Sequence, residues 1–314
     1  MSKLPRKLSE IEDKQPKQKK KAPTTKKVPK EKITTENESG EKTNDRTITK
    51  ITTQKRKGRY NIFLDDKYAF PVDESVLIKY MLQKGMEVSK ELEDKITNDD
   101  MVQKAFQRAL AYLSHNLRSE KQVRDDLIDK EYEDQADEVI EKLKDMNLLN
   151  DLELAKSYVR TSANINRKGP RNIQNELFRK YGVDENMQLD ALEEYPADQQ
   201  LENAIHLGNK KIKQSKKNSS FDTKNKVKQF LMQKGYDKDI IDEAIDLLDY
   251  EKSEDEEWEA LLKQANKAWR RYSRKFQGNE RNQKVKTNLY QKGFPGNLIN
   301  QYIEEMEEME ESDD

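Results

Sequence analysis

The chain has 314 residues and a mass of 37.0 kDa, a length typical of about two domains or of one repeat array. Charged residues make up 39% of the sequence and hydrophobic residues 33%, which argues against one large compact core. The 60 basic and 61 acidic residues leave a net charge of −1, and the absence of cysteine excludes disulfides, thiolate metal sites and cysteine nucleophiles.

The first 46 residues are rich in Lys, Pro, Thr and Glu and contain almost no large apolar residues. Such a composition cannot bury enough surface to offset backbone ordering, so we predict a disordered basic tail over residues 1–46. Its lysine clusters, Lys17–Lys21 and Lys26–Lys32, either contact phosphates or only keep the chain soluble. The tail lacks the apolar segment of a secretory signal, and no run of about 20 apolar residues follows, so we expect a cytoplasmic protein without a membrane span.

Residues 47–97 carry the alternation typical of strands. Apolar residues alternate from Tyr60 to Leu64 and from Tyr68 to Val72, and Asp65-Asp66 lies between the two runs at a length suited to a tight hairpin. Ile48–Thr53 is a third β-branched run. We therefore predict a small three-stranded antiparallel element, followed by a short helix over residues 74–82 that packs against it.

From about residue 98 the sequence is helical and repeats. Four segments align at Val123, Ile173, Val227 and Val285, each with Leu four residues later and Lys three after that. A turn follows, as in Gly235-Tyr236 and Gly293-Phe294, and a further helix precedes each copy. These features predict a mainly α protein with three-helix repeats over residues 98–150, 151–197, 198–255 and 256–314, the last with an acidic C-terminal tail. Tandem modules of this size bury their apolar faces on one another, so we expect an elongated, curved array.

Two helix starts carry capping signals. Ser119 with Gln122 has the spacing of a capping box, and Asp222-Thr223 is expected to cap the second helix of the third repeat.

Basic residues concentrate where the second helix of a repeat begins. The windows 156–180, 209–228 and 267–286 each hold seven or eight basic residues and one acid, whereas residues 237–257 and 304–314 are strongly acidic. Basic side chains beside the free backbone N–H groups of a helix N-terminus suit a polyanion, and their recurrence predicts a basic stripe for a nucleic acid or nucleoprotein filament. The alternative is that each window is a solvated face paired with the acidic third helices.

Motifs for catalysis or metal binding are scarce. His115 and His206 lack partners at metal-ligand spacing, and the glycine-rich phosphate loops and the nucleophile elbow are absent. We therefore expect no enzyme, no metal and no cofactor. Trp269, Tyr272 and Phe276 could stack on bases, but their helical spacing favours core packing.

The helical segments resemble the RecX family of regulators of the RecA recombinase. The resemblance rests on Leu113-Ser114 with Arg118–Glu120, on Asp151 with Ala155 and Tyr158, and on Lys168–Pro170 followed by Ile173, Glu176 and Leu177. It covers residues 47–306. The chain departs from the family pattern at Asn116, where Arg is common, and at the turn Lys180–Val183, which is usually a compact Lys-Gly-Ile.

The resemblance implies a monomeric, non-enzymatic protein that lies in the groove of the RecA filament and usually inhibits ATP hydrolysis, strand exchange and co-protease activity. It would thereby regulate DNA repair, recombination and the SOS response, with weak electrostatic binding to single- or double-stranded DNA. The candidate contact residues are the basic ones at the helix starts: Arg118, Arg160, Arg167, Lys168, Arg171, Lys213, Lys216, Lys217, Arg270, Arg271 and Arg274. The alternatives are a nucleic-acid-binding protein that does not need RecA, or a helical scaffold without DNA binding.

Overall fold

The computed structural model describes residues 45–313, so the predicted tail lies almost wholly outside the described residues. The fold begins with an antiparallel sheet in the order β3-β2-β1-β4, and helix α1 (Glu74–Lys79) follows β3. The strands are β1 (Arg46–Thr53), β2 (Arg59–Leu64), β3 (Lys67–Asp73) and β4 (Glu87–Val88). The three predicted strands and the helix are confirmed. The two-residue strand β4 is too short to produce an alternating pattern.

The β2–β3 hairpin turns at Asp65-Asp66, as predicted. Both residues have positive φ, 49° and 64°, and Asp tolerates this conformation better than most side chains. The turn sets the register in which Ile62 pairs with Phe70, and both side chains are buried in the core of the sheet. The alternating residues of the sequence are therefore the inner face of the sheet, except Tyr68, which is exposed beyond the register shift at Ile62/Phe63.

Helix α2 (Lys90–Leu113) joins the sheet to the repeats and crosses the predicted boundary at residue 97 without a break. Its first half contributes Ile96 to the core of the sheet, and its second half contributes Phe106 to the core of the first repeat. The Arg59 guanidinium holds the helix to β2 through two bonds to the Asp100 carboxylate, of 2.7 and 3.0 Å. This pair is buried, and Asp100 also accepts the Asp73 N–H at 2.8 Å.

Four three-helix repeats follow, and the mainly α fold is confirmed. Their helices are α2, α3 (Glu120–Asp129) and α4 (Ala136–Asp145); α5 (Asp151–Asn164), α6 (Pro170–Glu176, continued by a π-helical turn over Leu177–Tyr181) and α7 (Glu185–Leu192); α8 (Ala197–Gln214), α9 (Ser220–Lys234) and α10 (Lys238–Leu247); α11 (Glu254–Tyr272), α12 (Gly278–Gln291) and α13 (Gly296–Asp313). Each repeat has its own buried apolar cluster.

The aligned apolar residues of the second helices are the centres of these clusters. The β-branched residue and the leucine four positions later are both completely buried in α3, α6, α9 and α12. Trp269 is buried in the fourth cluster, as its helical spacing favoured. The small apolar fraction of the sequence therefore supplies several small cores.

One predicted cap is confirmed and one is wrong. Ser119 and Gln122 form the capping box of α3. Helix α9, however, begins one turn earlier than expected, and its N-cap is Ser219, whose hydroxyl accepts the Asp222 N–H. Thr223 lies inside the helix and is buried. Serine caps a helix as well as aspartate does, so the propensities alone could not separate the two starts.

The second helices of consecutive repeats meet end against end. At the junction of repeats 2 and 3, the Gly169 N–H donates to Lys234 O at 2.8 Å and the Arg171 N–H donates to Gly235 O at 3.1 Å. The start of α6 thus satisfies the carbonyls at the end of α9, two sets of groups that an isolated helix leaves without partners. The positive end of the α6 dipole therefore lies beside the negative end of the α9 dipole.

This junction needs glycine on both sides. Gly235 has a φ of +89°, and a Cβ on it would lie 2.6 Å from the backbone nitrogen of Asn172. A Cβ on Gly169 would overlap the carbonyl carbon of Gly235. The glycine in the turn therefore does more than end a helix, because it allows two backbones to touch.

The other two junctions bring the same elements together, but through side chains. Lys121 of α3 covers Gly182, and Phe221 of α9 covers Gly293, while the Ser219 hydroxyl donates to Lys292 O at 2.6 Å. In the first repeat, the corresponding turn position is Glu131, which has a φ of 64° and is exposed. No second helix of an earlier repeat presses on this turn, so a side chain fits there.

The fourth repeat ends differently from the others. Its third helix, α13, has eighteen residues, whereas α4 and α10 have ten. The extension packs against the start of α12. Glu310 accepts two hydrogen bonds, of 2.6 and 2.7 Å, from the buried Arg281 guanidinium, and Glu307 accepts one from the Asn282 amide. The acidic residues predicted as a tail are therefore helical up to residue 313.

The backbone contact between Gly169 and Gly235 predicts that an added methyl group destabilises the fold at Gly169 but not at a glycine with open space around it. Gly169→Ala should lower the free energy of unfolding by about 1–3 kcal/mol, because one of the two backbones must move. Gly296→Ala is the matched control, since a Cβ there meets nothing within 4 Å and its effect should stay within about 1 kcal/mol. Urea unfolding followed by circular dichroism measures both, and equal effects would contradict the junction.

The buried ion pair predicts a second contrast. Arg59→Met should cost about 3–5 kcal/mol, because it leaves the Asp100 carboxylate buried with less compensation. Lys104→Met removes the other cation on Asp100, 3.0 Å away but partly exposed, and should cost about 1 kcal/mol or less. The same unfolding experiment decides; a smaller loss for Arg59→Met than for Lys104→Met would show that the bidentate pair does not anchor α2.

Candidate functional site

Three of the seven cations in the first basic window are paired with carboxylates of the same chain: Arg160, Lys168 and Arg171. The Arg160 guanidinium bonds to Glu194 at 2.7 Å and to Glu153 at 3.1 Å, and these hydrogen bonds raise the pKa of Arg160. The Lys168 ammonium lies 2.6 Å from the Glu176 carboxylate. Cations that already have carboxylate partners gain less from a phosphate, because the existing pair must first be broken.

Arg171 has a structural role in the same window. Its guanidinium pairs with Asp237, across the junction between repeats 2 and 3. The backbone of Arg167 also contributes to this junction, because its carbonyl accepts the Tyr236 hydroxyl at 2.9 Å. Tyr236 in turn lies 3.2 Å from the hydroxyl of Tyr195, and burial raises the pKa of Tyr236. The window therefore holds two repeats together.

Arg118 lies against an aromatic ring of its own repeat. Its guanidinium is 4.5 Å from the centre of the Tyr112 ring, and its Nε atom is buried without a hydrogen-bond partner in the described part of the chain. Neither Arg118 nor Arg167 forms an ion pair within residues 45–313. Both side chains are half-buried.

The expectation of free N–H groups at the second-helix starts is wrong for α3, α6 and α9. The Glu120 N–H donates to Asp151 Oδ1 at 2.8 Å, and the Ser220 N–H donates to both Glu257 carboxylate oxygens at 3.2 and 3.1 Å. Each of these carboxylates comes from the first helix of the next repeat, and burial raises the pKa of Asp151. In the second repeat, the first residue of the helix is Pro170, which has no N–H to donate. Polyanion binding at these helices must depend on side chains.

The remaining candidates lie on repeats 3 and 4 and are exposed. They form no ion pair with any carboxylate of residues 45–313, and they are Lys213, Lys216, Lys217, Arg270, Arg271 and Arg274. Among the sequence-predicted residues, Arg160, Lys168 and Arg171 are therefore paired. Arg118, Arg167 and the six residues of repeats 3 and 4 form no ion pair within residues 45–313.

Two side chains hold the loop between α8 and α9, which contains Lys216 and Lys217. They are Lys252, just before α11, and Gln264 within α11. The Lys252 ammonium donates to Lys216 O at 2.9 Å, and the Gln264 amide donates to Lys217 O at 3.1 Å. Gln264 Oε1 also accepts from the Lys292 ammonium at 2.9 Å. One amide of α11 thus connects the loop after α8 to the end of α12.

Positive charge accumulates around Gln264. The pKa of Lys292 is lowered first by burial and further by the charges of Lys267 and Arg271, with only a partial counter-effect from Asp222. We call Lys216, Lys217, Lys267, Arg271 and Lys292 the basic cluster. Lys267 and Lys292 were not among the sequence-predicted contacts, since only the tertiary contact through Gln264 brings the second and third windows together.

No helix of residues 45–313 is long and apolar enough to cross a membrane. Over the same residues, no group of three or more His, Cys, Asp or Glu side chains is placed to hold a metal ion.

Comparison with known proteins supports the repeat assignment. The model of the regulatory protein RecX N-terminal domain matches residues 46–89. The models of the first and second RecX three-helix domains match residues 105–143 and 150–192. The model of the third three-helix domain matches twice, over residues 198–245 and 254–303. The chain is thus similar to RecX proteins in every described repeat.

Individual relatives agree with the domain matches. The chain is 43% identical over 267 residues to the regulatory protein RecX of Bacillus subtilis, covering 83% of this chain and 98% of that protein. It is 41% identical over 265 residues to the RecX of Oceanobacillus iheyensis, covering 82% and 97%. A crystal structure of a regulatory protein RecX aligns with a TM-score of 0.59 at 38% identity, covering 64% of this chain and 99% of that one.

The division of charges predicts which residues bind a polyanion. Changing Lys216, Lys217 and Arg271 together to Gln should weaken binding to a single-stranded oligonucleotide and lower the slope of log K against log salt by about 2. The same change at Arg160, Lys168 and Arg171 should lower the slope by less than 1, because these cations are paired within the chain. Fluorescence anisotropy across a salt series measures both slopes, and a larger effect from the second set would contradict the division.

Proposed function

The chain belongs to the RecX family of regulatory proteins, and from this premise we propose that it binds RecA and the RecA–DNA filament and inhibits the filament's ATPase, strand-exchange and co-protease activities. It would in this way regulate DNA repair, recombination and the SOS response. The proposal is supported by the family and by one observation on the molecule, the basic cluster between repeats 3 and 4.

The basic cluster suits contact with a nucleoprotein. Its cations have no carboxylate partners among the described residues, so contact with phosphates replaces only water and counterions. Five such charges give weak, salt-dependent binding to single- or double-stranded DNA rather than sequence recognition, because nothing in the cluster reads base edges. DNA contact alone would therefore not give specificity, and RecA would supply it.

The repeats suit a polymeric partner. A chain with four similar modules can make several weak contacts with one filament, and each contact raises the effective concentration of the next. A monomer then suffices for firm binding to the filament and binds isolated protomers weakly. The elongated, curved array expected from the sequence fits a helical groove of this kind.

Titration of the protein into RecA-dependent ATP hydrolysis on single-stranded DNA tests the proposal. The rate should fall to a plateau, and the Lys216, Lys217 and Arg271 to Gln variant should need several-fold more protein for the same effect. A matched control changes Lys57, Lys84 and Lys95 to Gln, since these lysines are exposed in the N-terminal part and far along the chain from the cluster. The control should titrate as the unchanged protein does.

Two outcomes would contradict the proposed function. If the folded protein leaves the rate of ATP hydrolysis unchanged over the whole titration, the proposed inhibition is ruled out. Equal affinity for single-stranded DNA with and without RecA assembled on it would instead support a nucleic-acid-binding protein that does not need RecA.

A further inference from the structure

Each second helix exposes one large apolar side chain at the same position. The residue directly after the buried leucine is Ile128 in α3, Phe178 at the end of α6, Met232 in α9 and Tyr290 in α12. These side chains are 43%, 67%, 65% and 72% exposed. We call the four residues the apolar series.

The recurrence requires an explanation that single exposed residues do not. Scattered apolar side chains are normal on protein surfaces. Here, however, four copies with different neighbours keep a large apolar residue where a helix surface would ordinarily carry a polar one. The buried leucine beside it belongs to the core of each repeat, whereas none of the four exposed neighbours belongs to a buried apolar cluster of the described residues.

The junctions place the series in regular order. At each of the three junctions, the first turn of one second helix lies against the glycine that ends the next second helix. The same two elements therefore meet at every junction, and the members of the series follow one another in the order of the repeats. A partner surface that contacts all four residues of the series must therefore itself be repetitive.

A lysine accompanies each member of the series two residues later. These lysines are Lys130, Lys180, Lys234 and Lys292. The first three form no ion pair within residues 45–313, and Lys180 and Lys234 lie over the rings of Tyr181 and Phe230. The complementary surface therefore has an apolar recess bordered by carboxylates.

The chemistry of the series favours a protein over a nucleic acid. Stacking on bases needs an aromatic ring at each position, and Ile128 and Met232 have none. Ile128 is also followed by Asp129, which would repel a phosphate. Methionine and large apolar residues with a charged rim are typical of protein interfaces.

We propose that the apolar series is the surface through which the repeats engage successive protomers of the RecA filament, each inserting one side chain into an apolar, carboxylate-bordered recess. This inference rests on the proposed function and assigns the protein contacts to the apolar series. The basic cluster, which shares only Lys292 with the lysines that border the series, contacts the DNA.

The test measures binding to two targets: the RecA filament assembled on single-stranded DNA, and the same DNA without RecA. Phe178→Ser, Met232→Ser and Tyr290→Ser should each weaken filament binding about fivefold to tenfold, and the triple variant should weaken it about 100-fold or more. Affinity for the DNA alone should not change. The control combines Ile78→Ser, Met81→Ser and Leu247→Ser, which are similarly exposed but do not recur, and should stay within about twofold of the unchanged protein.

The outcomes separate the two proposals. If the unchanged protein binds the filament and the triple variant binds equally well, the apolar series is not the contact surface. If the triple variant loses affinity for DNA alone to the same extent, the series contacts nucleic acid and the inference is overturned. If the unchanged protein does not bind the filament, the proposed function itself fails and the inference with it. Circular dichroism and thermal unfolding confirm that each variant is folded.

Discussion

The array depends on one contact: the start of the second helix in one repeat lies against the glycine turn that ends the second helix of the following repeat. At Gly169 and Gly235 two backbones touch, and the N–H groups of one helix satisfy the carbonyls of the other. These groups would otherwise need water or side-chain partners, so the repeats stabilise one another at the places where each alone is least complete. Stability therefore lies in the interfaces between neighbours as well as in the small cores, as in other repeat proteins.

The contacts around this junction also affect which basic side chains are free of carboxylate partners. Near the junction of repeats 2 and 3, Arg171 pairs with Asp237, and the neighbouring cations Arg160 and Lys168 are paired within the second repeat. Around Gln264, several cations instead form no ion pair with any carboxylate of residues 45–313. A net charge of −1 thus conceals a molecule whose basic windows are used in two ways, one set within the fold and one exposed to solvent.

Sequence patterns predicted the features that repeat or alternate locally. The buried pairs such as Val123 with Leu127 follow from a four-residue spacing, and the β2–β3 hairpin follows from alternation around Asp65-Asp66. The features that the sequence did not predict depend on residues far apart in the chain. Arg171 and Asp237 are 66 positions apart, and nothing local distinguishes a paired arginine from an unpaired one. Likewise, the N–H groups at the helix starts could not be known to be occupied before Asp151 and Glu257 were placed.

The junctions also give the array a direction. At all three junctions, the earlier repeat contributes the helix start and the later repeat contributes the glycine turn. The two ends of the array differ: the first repeat has Glu131 where later repeats have glycine, and the last repeat carries the extension of α13. The two ends are therefore chemically unlike and cannot be exchanged. A helical polymer of identical protomers is polar too, and an array of this kind matches its repeat in only one of the two opposed alignments. Under the proposed function, the direction shared by the three glycine contacts would therefore fix which way round the array binds the filament.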